Sequence, residues 1–291
     1  MYLPAIPAVF CTLILHDGVG NQLLQLEALA TLVRETGCRP VLGYFRHNND
    51  RVVSYRPWGG HPSPVSAGWC DFVEEFECLP PGLWYRVAIW DERNMYKFDV
   101  DGPDDYLPLP SLYKPYTALN GYFFHHRYRT GDGLVRWRSE LTESVTEQLR
   151  QLHDGCVTAV HVRLYYGGEP IQWFAEGRRQ PQIEFYRRAV GLLPDECVPV
   201  VFSDKPLSDA DAAELTGRGD ARVAAEECPV RSVVAMQLAQ HRVIASSTLS
   251  AYAAVRQTDA GSLTVVWGGF RHVHGAKFFD PGDLRVIVLP E

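Results

Sequence analysis

Short apolar runs alternate along this chain with longer stretches whose apolar positions recur at helical spacing. Val157, Ala159, Val160 and Val162 make a compact β-rich run, and its period of two places His161 and Arg163 on a common face. Val9 to Leu15, Pro40 to Phe45, Thr117 to Phe124, Val198 to Phe202, Val243 to Ala245, Leu263 to Trp267 and Val286 to Leu289 are further runs that predict strands. Between them lie helical patterns. Leu23, Leu24, Leu26, Leu29, Ala30 and Val33 share a helical face, with Asn21 expected to cap it. Ser139 to Leu152, Pro181 to Leu193 and Pro229 to His241 predict three more helices, and another follows Ser246-Ser247-Thr248. Strands that alternate with helices in both halves define an α/β chain with parallel sheets. The pattern predicts two domains, residues 1–154 and 155–291, with the boundary near Gly155.

Polar groups cluster where the strands end. A strand covered on both faces tolerates a charge only where it emerges at the carboxyl edge, so Arg163 is expected to project into a cleft. Its fixed charge and planar fork suit a phosphate, although an arginine paired with a carboxylate reads equally well from this segment alone. Ser203 and Asp204 close the Val198 to Phe202 run, and Ser246, Ser247 and Thr248 stand where the next helix begins. Hydroxyls and unbonded N–H groups at a helix start make an anion site. Together the three strand ends suit a nucleoside diphosphate, with a carboxylate to accept from guanine. Gly18 and Gly20 form a turn before the first helix, but the third glycine of a dinucleotide fingerprint is replaced by Leu23. An NAD-dependent oxidoreductase is thereby disfavoured.

The net charge of −7 argues against a general nucleic-acid or anionic-membrane binder. Seven cysteines are widely spaced and contain no CxxC pair, and they read as reduced core residues of a cytoplasmic protein. No metal site is expected. Asp99 and Asp101 sit in a run of acidic residues with no strong strand before it, and His125 and His126 are adjacent, which regular structure does not aim at one ion. No stretch is long enough for a transmembrane helix. Asp50 to Gly68, rich in Pro, Gly and aromatic residues, predicts a long loop that could contact substrate.

Five short blocks, in order, resemble glycosyltransferase family 11, the α-1,2-fucosyltransferases. They are Gly18-Val19-Gly20-Asn21-Gln22-Leu23-Leu24-Gln25, Gly121-Tyr122-Phe123, His161-Val162-Arg163, Phe202-Ser203-Asp204 and Ala245-Ser246-Ser247-Thr248-Leu249-Ser250. Where the family has Arg-Arg-Gly-Asp this chain has Arg163-Leu164-Tyr165-Tyr166, and Lys205 replaces the second aspartate of the family's Phe-Ser-Asp-Asp. The resemblance implies a GT-B fold, with two Rossmann-like domains facing across a cleft. It implies metal-independent, inverting transfer of fucose from GDP-fucose to a glycan hydroxyl such as the galactose 2-OH, with no bound cofactor. Gly20, Asn21, His161, Arg163, Ser203, Asp204, Ser246, Ser247 and Thr248 would bind the donor. Arg163 would stabilise the leaving diphosphate, and Asp17 or Glu169 would act as base. The departures leave open a different nucleotide sugar or a homologue that binds without turnover.

Overall fold

A computed structural model describes residues 10–13, 15, 18–42, 45–47, 52–53, 68–74, 76–78, 85–91, 117–120, 123, 125–129, 135–166, 169–170, 183–224, 228–244, 247–255, 261–268, 278–279 and 285–290. The chain divides into two compact units, Met1–Arg138 and Ser139–Glu291. The division falls ahead of the helix Ser139–Leu152 rather than after it, and the contacts of that helix explain why. Arg231 donates to Ser144 Oγ at 3.1 Å and to Gln148 Oε1 at 2.9 Å, which ties the helix to the second unit.

In the first unit, β1 (Phe10–Leu13), α1 (Val19–Thr36), β2 (Arg39–Leu42), β3 (Phe45–His47), β4 (Val52–Val53), β5 (Glu77–Cys78), β6 (Tyr85–Asp91) and β7 (Thr117–Asn120) follow in order. The sheet runs β4-β3-β6-β7-β1-β2-β5, and among these pairs only β3 with β4 is antiparallel. Helix α1 starts earlier than the apolar pattern suggests. Gly18, in extended conformation, is its N-cap, and the Gly18 carbonyl accepts from Gln22 N–H at 3.1 Å. Asn21 is therefore a first-turn residue and not the cap. The helix is buried along most of its length, so its polar residues must be bonded inside. Gln22 Oε1 accepts from Trp69 Nε1 at 2.7 Å, and Glu27 Oε1 accepts from the backbone N–H of Val135 at 2.8 Å. Left-handed Gly37 (φ 68°) ends the helix, its N–H bonding the Val33 carbonyl.

The second unit contains α2 (Ser139–Leu152), β8 (Val157–Val162), β9 (Tyr165–Tyr166), β10 (Glu169–Pro170), α3 (Ile183–Val190), β11 (Val198–Ser203) and α4 (Asp209–Thr216). It continues with β12 (Arg222–Val223), α5 (Pro229–Leu238), β13 (His241–Ile244), α6 (Thr248–Val255), β14 (Thr264–Trp267) and β15 (Val286–Leu289). Its main sheet runs β12-β11-β8-β13-β14-β15 and is parallel throughout. Every residue of β8 is buried, as expected for a central strand covered on both faces. Pro229 begins α5, where its missing N–H costs nothing. Arg242 of β13, only 1% exposed, closes the far end of α5 by donating to the Met236 and Gln237 carbonyls at 2.8 and 2.5 Å. Positive charge is favoured at that end of a helix.

The cysteines are not all reduced. Cys11 is bonded to Cys38, and Cys156 to Cys197. These partners are 27 and 41 residues apart, and only the pairing of β1 with β2 and of β8 with β11 brings them together. The inference to a reducing cytoplasm, which rested on free thiols, loses its footing here. Among the described residues, no helix is long and apolar enough to cross a membrane.

Candidate active site

The strand order of the second unit fixes where a ligand would sit. From β8 the chain moves outward through β11 to β12, then returns to place β13 against the other side of β8. Connections thus leave β8 and β13 in opposite directions, which opens a crevice beyond their carboxyl ends. Arg163 follows the last residue of β8, and Ser247 stands between β13 and α6. One arginine and one helix start meet at the switch point.

Ser247 holds the first turn of α6. Its Oγ accepts from Leu249 N–H at 3.3 Å and its carbonyl accepts from Ala251 N–H at 3.0 Å, the pattern of a serine N-cap. Arg163 Nη1 donates to the same Oγ at 3.5 Å. The guanidinium, half-buried, is therefore held over the positive end of a helix whose first turn contains no acid. Two positive features side by side repel one another unless an anion lies between them.

Asp204 fastens the neighbouring strand end. Its Oδ1 accepts from the backbone N–H of Leu164 at 2.7 Å, which joins the chain after β11 to the chain after β8 and fixes the residue next to Arg163. Leu164 contributes through its backbone. Ser203 Oγ accepts from Lys205 N–H at 3.2 Å and shapes the same turn. Tyr186 of α3 was not singled out by the sequence pattern. It is 2% exposed, and burial, followed by the Asp204 charge, raises its phenol far above the ordinary range. It is thus a neutral hydroxyl beside the carboxylate. Nothing in a helical apolar stripe distinguishes such a tyrosine from core.

His161 lies in β8, two residues before Arg163 and opposite Phe202. It is 5% exposed, and burial together with the Arg163 charge lowers its pKa to about 3. It is neutral at physiological pH and carries no charge to a diphosphate. Among the described residues its Nδ1 makes no hydrogen bond.

The second unit thus brings His161, Arg163, Ser203, Asp204, Ser247 and Thr248 to one edge of one sheet. Gly20 and Asn21 belong to the first unit, in the opening turn of α1, where Asn21 is half-buried and its Oδ1 makes no hydrogen bond among the described residues. Asp17 and Ser246 lie outside the described residues, as do Asp99, Asp101, Gly121, Tyr122 and most of the Asp50 to Gly68 loop. Glu169 is in β10, of which the backbone alone is described. His125 and His126 stack at 4.5 Å between ring centroids, and His125 Nδ1 accepts from Arg127 N–H.

No family model and no curated protein matches the chain. Solved structures do. The fucosyltransferase NodZ from Bradyrhizobium aligns with a TM-score of 0.52 at 12% identity, over 86% of this chain and 92% of NodZ. NodZ α-1,6-fucosyltransferase co-crystallised with GDP aligns at 0.51 and 12% identity over the same shares. NodZ soaked with GDP-fucose aligns at 0.50 and 12% identity, over 85% and 92%. The mixed α/β architecture with parallel sheets expected from the sequence is therefore the one present, and it matches that of the GT-B fucosyltransferase NodZ.

Proposed function

We propose that this protein is a glycosyltransferase that moves fucose from GDP-fucose to a hydroxyl of a glycan acceptor, with the galactose 2-OH as the first candidate and inversion at the anomeric carbon. The observation that carries the proposal is the meeting of Arg163 with the start of α6 at the switch point of the second sheet. The likeness to NodZ, a protein crystallised with GDP, supports the same reading. As the bond to fucose breaks, its electron pair passes to the leaving phosphate oxygen, and Arg163 and the α6 N–H groups would receive that charge without a divalent cation. Gly20 and Asn21, at the start of α1, are further donor-binding candidates. Asp17 and Glu169 are the candidate bases for the acceptor proton.

The experiment is nucleoside diphosphate release, GDP or UDP, from a panel of GDP- and UDP-sugars, with and without galactosides, in the presence of EDTA. GDP-fucose should be consumed in an acceptor-dependent way, and chelation should leave the rate unchanged. Tight GDP binding with no turnover on any acceptor would identify a binding protein instead, the reading that the Leu164-Tyr165-Tyr166 departure favours.

Asp204 provides a finer test. Asp204→Asn keeps an oxygen for the Leu164 N–H and loses the charge, whereas Asp204→Ala loses both. If the carboxylate accepts from guanine, calorimetry should show GDP affinity reduced roughly tenfold or more by either substitution, as for a charged hydrogen bond. Equal GDP affinity in wild type and Asp204→Asn would reduce Asp204 to a positioning residue.

A further inference from the structure

The opposite end of the same sheet holds a second chemical cluster. Cys156 precedes β8, Cys197 precedes β11 and His241 opens β13, so three adjacent strands each contribute one residue at their amino ends. The ladder extends to the cysteines, since Val198 N–H donates to the Cys156 carbonyl at 2.9 Å. Register sets the facing. Val157 pairs with Val198 and Thr158 with His241, so Cys156, Cys197 and His241 fall on one face by the period of two. A ring nitrogen of His241 and the two sulfurs lie within 4.8 Å of one another.

Two chemistries fit two sulfurs and an imidazole, and the hydrogen bonding of His241 separates them. Its Nδ1 accepts from the Leu263 N–H at 3.2 Å. That nitrogen must therefore be unprotonated, and in the neutral ring the proton resides on Nε2. A metal ligand needs the reverse arrangement, with a lone pair toward the ion and an N–H outward. With its proton on Nε2, the imidazole is a hydrogen-bond donor rather than an open metal ligand.

We propose that Cys156–Cys197 is a reversible thiol–disulfide site, open to small dithiols, in which the His241 N–H stabilises the sulfur that leaves. Cys156 is half-buried and Cys197 is 2% exposed, so the reductant's thiolate attacks Cys156 Sγ. The S–S bond breaks, its electron pair stays on Cys197 as thiolate, and the reductant's second thiol then displaces Cys156. The protein gains two electrons and two protons, and the dithiol leaves as a cyclic disulfide. Stabilising the departing thiolate accelerates the exchange. Cys11–Cys38 is the internal control. Both its cysteines are buried, at 0% and 5% exposure, and among the described residues the only cluster of this type is the one around Cys156. This site is independent of the proposed transferase activity.

The test uses the full chain under native conditions, with dithiothreitol as reductant, timed alkylation and peptide mass spectrometry. Cys156 and Cys197 should become alkylated roughly tenfold or more faster than Cys11 and Cys38. His241→Ala should slow that reduction roughly tenfold, and His241→Gln, which retains an N–H donor, should recover part of it. If the two disulfides open together, and only at denaturant concentrations that abolish the far-ultraviolet circular dichroism, the proposal fails; this comparison needs no variant to fold. It also fails if the reduced chain takes up one cobalt(II) with a thiolate charge-transfer band that Cys197→Ser removes, because the trio would then be a metal site.

Discussion

Arg163→Ala should lower turnover of the folded fraction roughly 10²-fold or more. The magnitude follows from loss of one preorganised donor to charge that develops in the transition state. Arg163 bonds the N-cap oxygen of α6 at 3.5 Å, at the long limit of a hydrogen bond, so that contact contributes little to stability. The interaction gains strength as the diphosphate departs, and the loss should therefore fall on the chemical step more than on GDP binding. Arg163→Lys should recover only part of the rate, since lysine keeps the charge and loses the fork. Leu164 supplies no second guanidinium to share the load. Turnover of GDP-fucose, GDP affinity and thermal melts measured on the three proteins decide the matter. A depressed melting point with near-normal turnover of the folded fraction would make Arg163 a structural residue.

Acidification should destabilise the second unit through His161. Its pKa is lowered from 6.5 to about 3 by burial and by Arg163. Between these values the unfolded chain binds a proton that the folded chain refuses. Stability is therefore fully present above pH 6.5 and falls as the pH drops toward 3, with a slope of up to about 1.4 kcal/mol per pH unit. Asp211 and Asp220 act lower on the scale. Hydrogen bonds from Ser208 and Arg218 hold their carboxyls below the ordinary value of 3.8, so their contributions are lost only as the pH falls below about 4. Melting temperatures taken from pH 6.5 to 4.5 should consequently fall more steeply for the wild type than for His161→Gln. Parallel slopes would show that His161 takes up its proton in the folded state.

Much of this was legible because a parallel sheet writes its strands as apolar runs and its functional edge as the polar residues that end them. Val157 to Val162 followed by Arg163, and Val198 to Phe202 followed by Ser203 and Asp204, are such passages. What the pattern lacks is adjacency. Nothing in the run around Val243 indicates that it lies beside β8 and not beside β12, yet that order creates the switch point. The disulfides were illegible for the same reason, since 27 and 41 residues separate partners that only strand pairing unites. Polar caps are the commoner signal and point to Asn21, whereas Gly18, without a side chain, is the N-cap of α1. Tyr186 is buried and feels the Asp204 charge, which helical spacing does not report.

The position of β8 also has a consequence for synthesis on the ribosome. This strand is the first of its sheet to emerge, and its neighbours are β11, beginning at Val198, and β13, beginning at His241. Until residue 241 has been made, one edge of a strand that is buried throughout in the folded chain lacks its β13 partner, and the β8–β13 ladder closes over more than 80 residues of intervening polypeptide. Contacts of such long sequence separation form slowly, and an open strand edge is a template for other chains. The strand that leads to the candidate site is thus also the one that nascent, truncated products leave most exposed to aggregation.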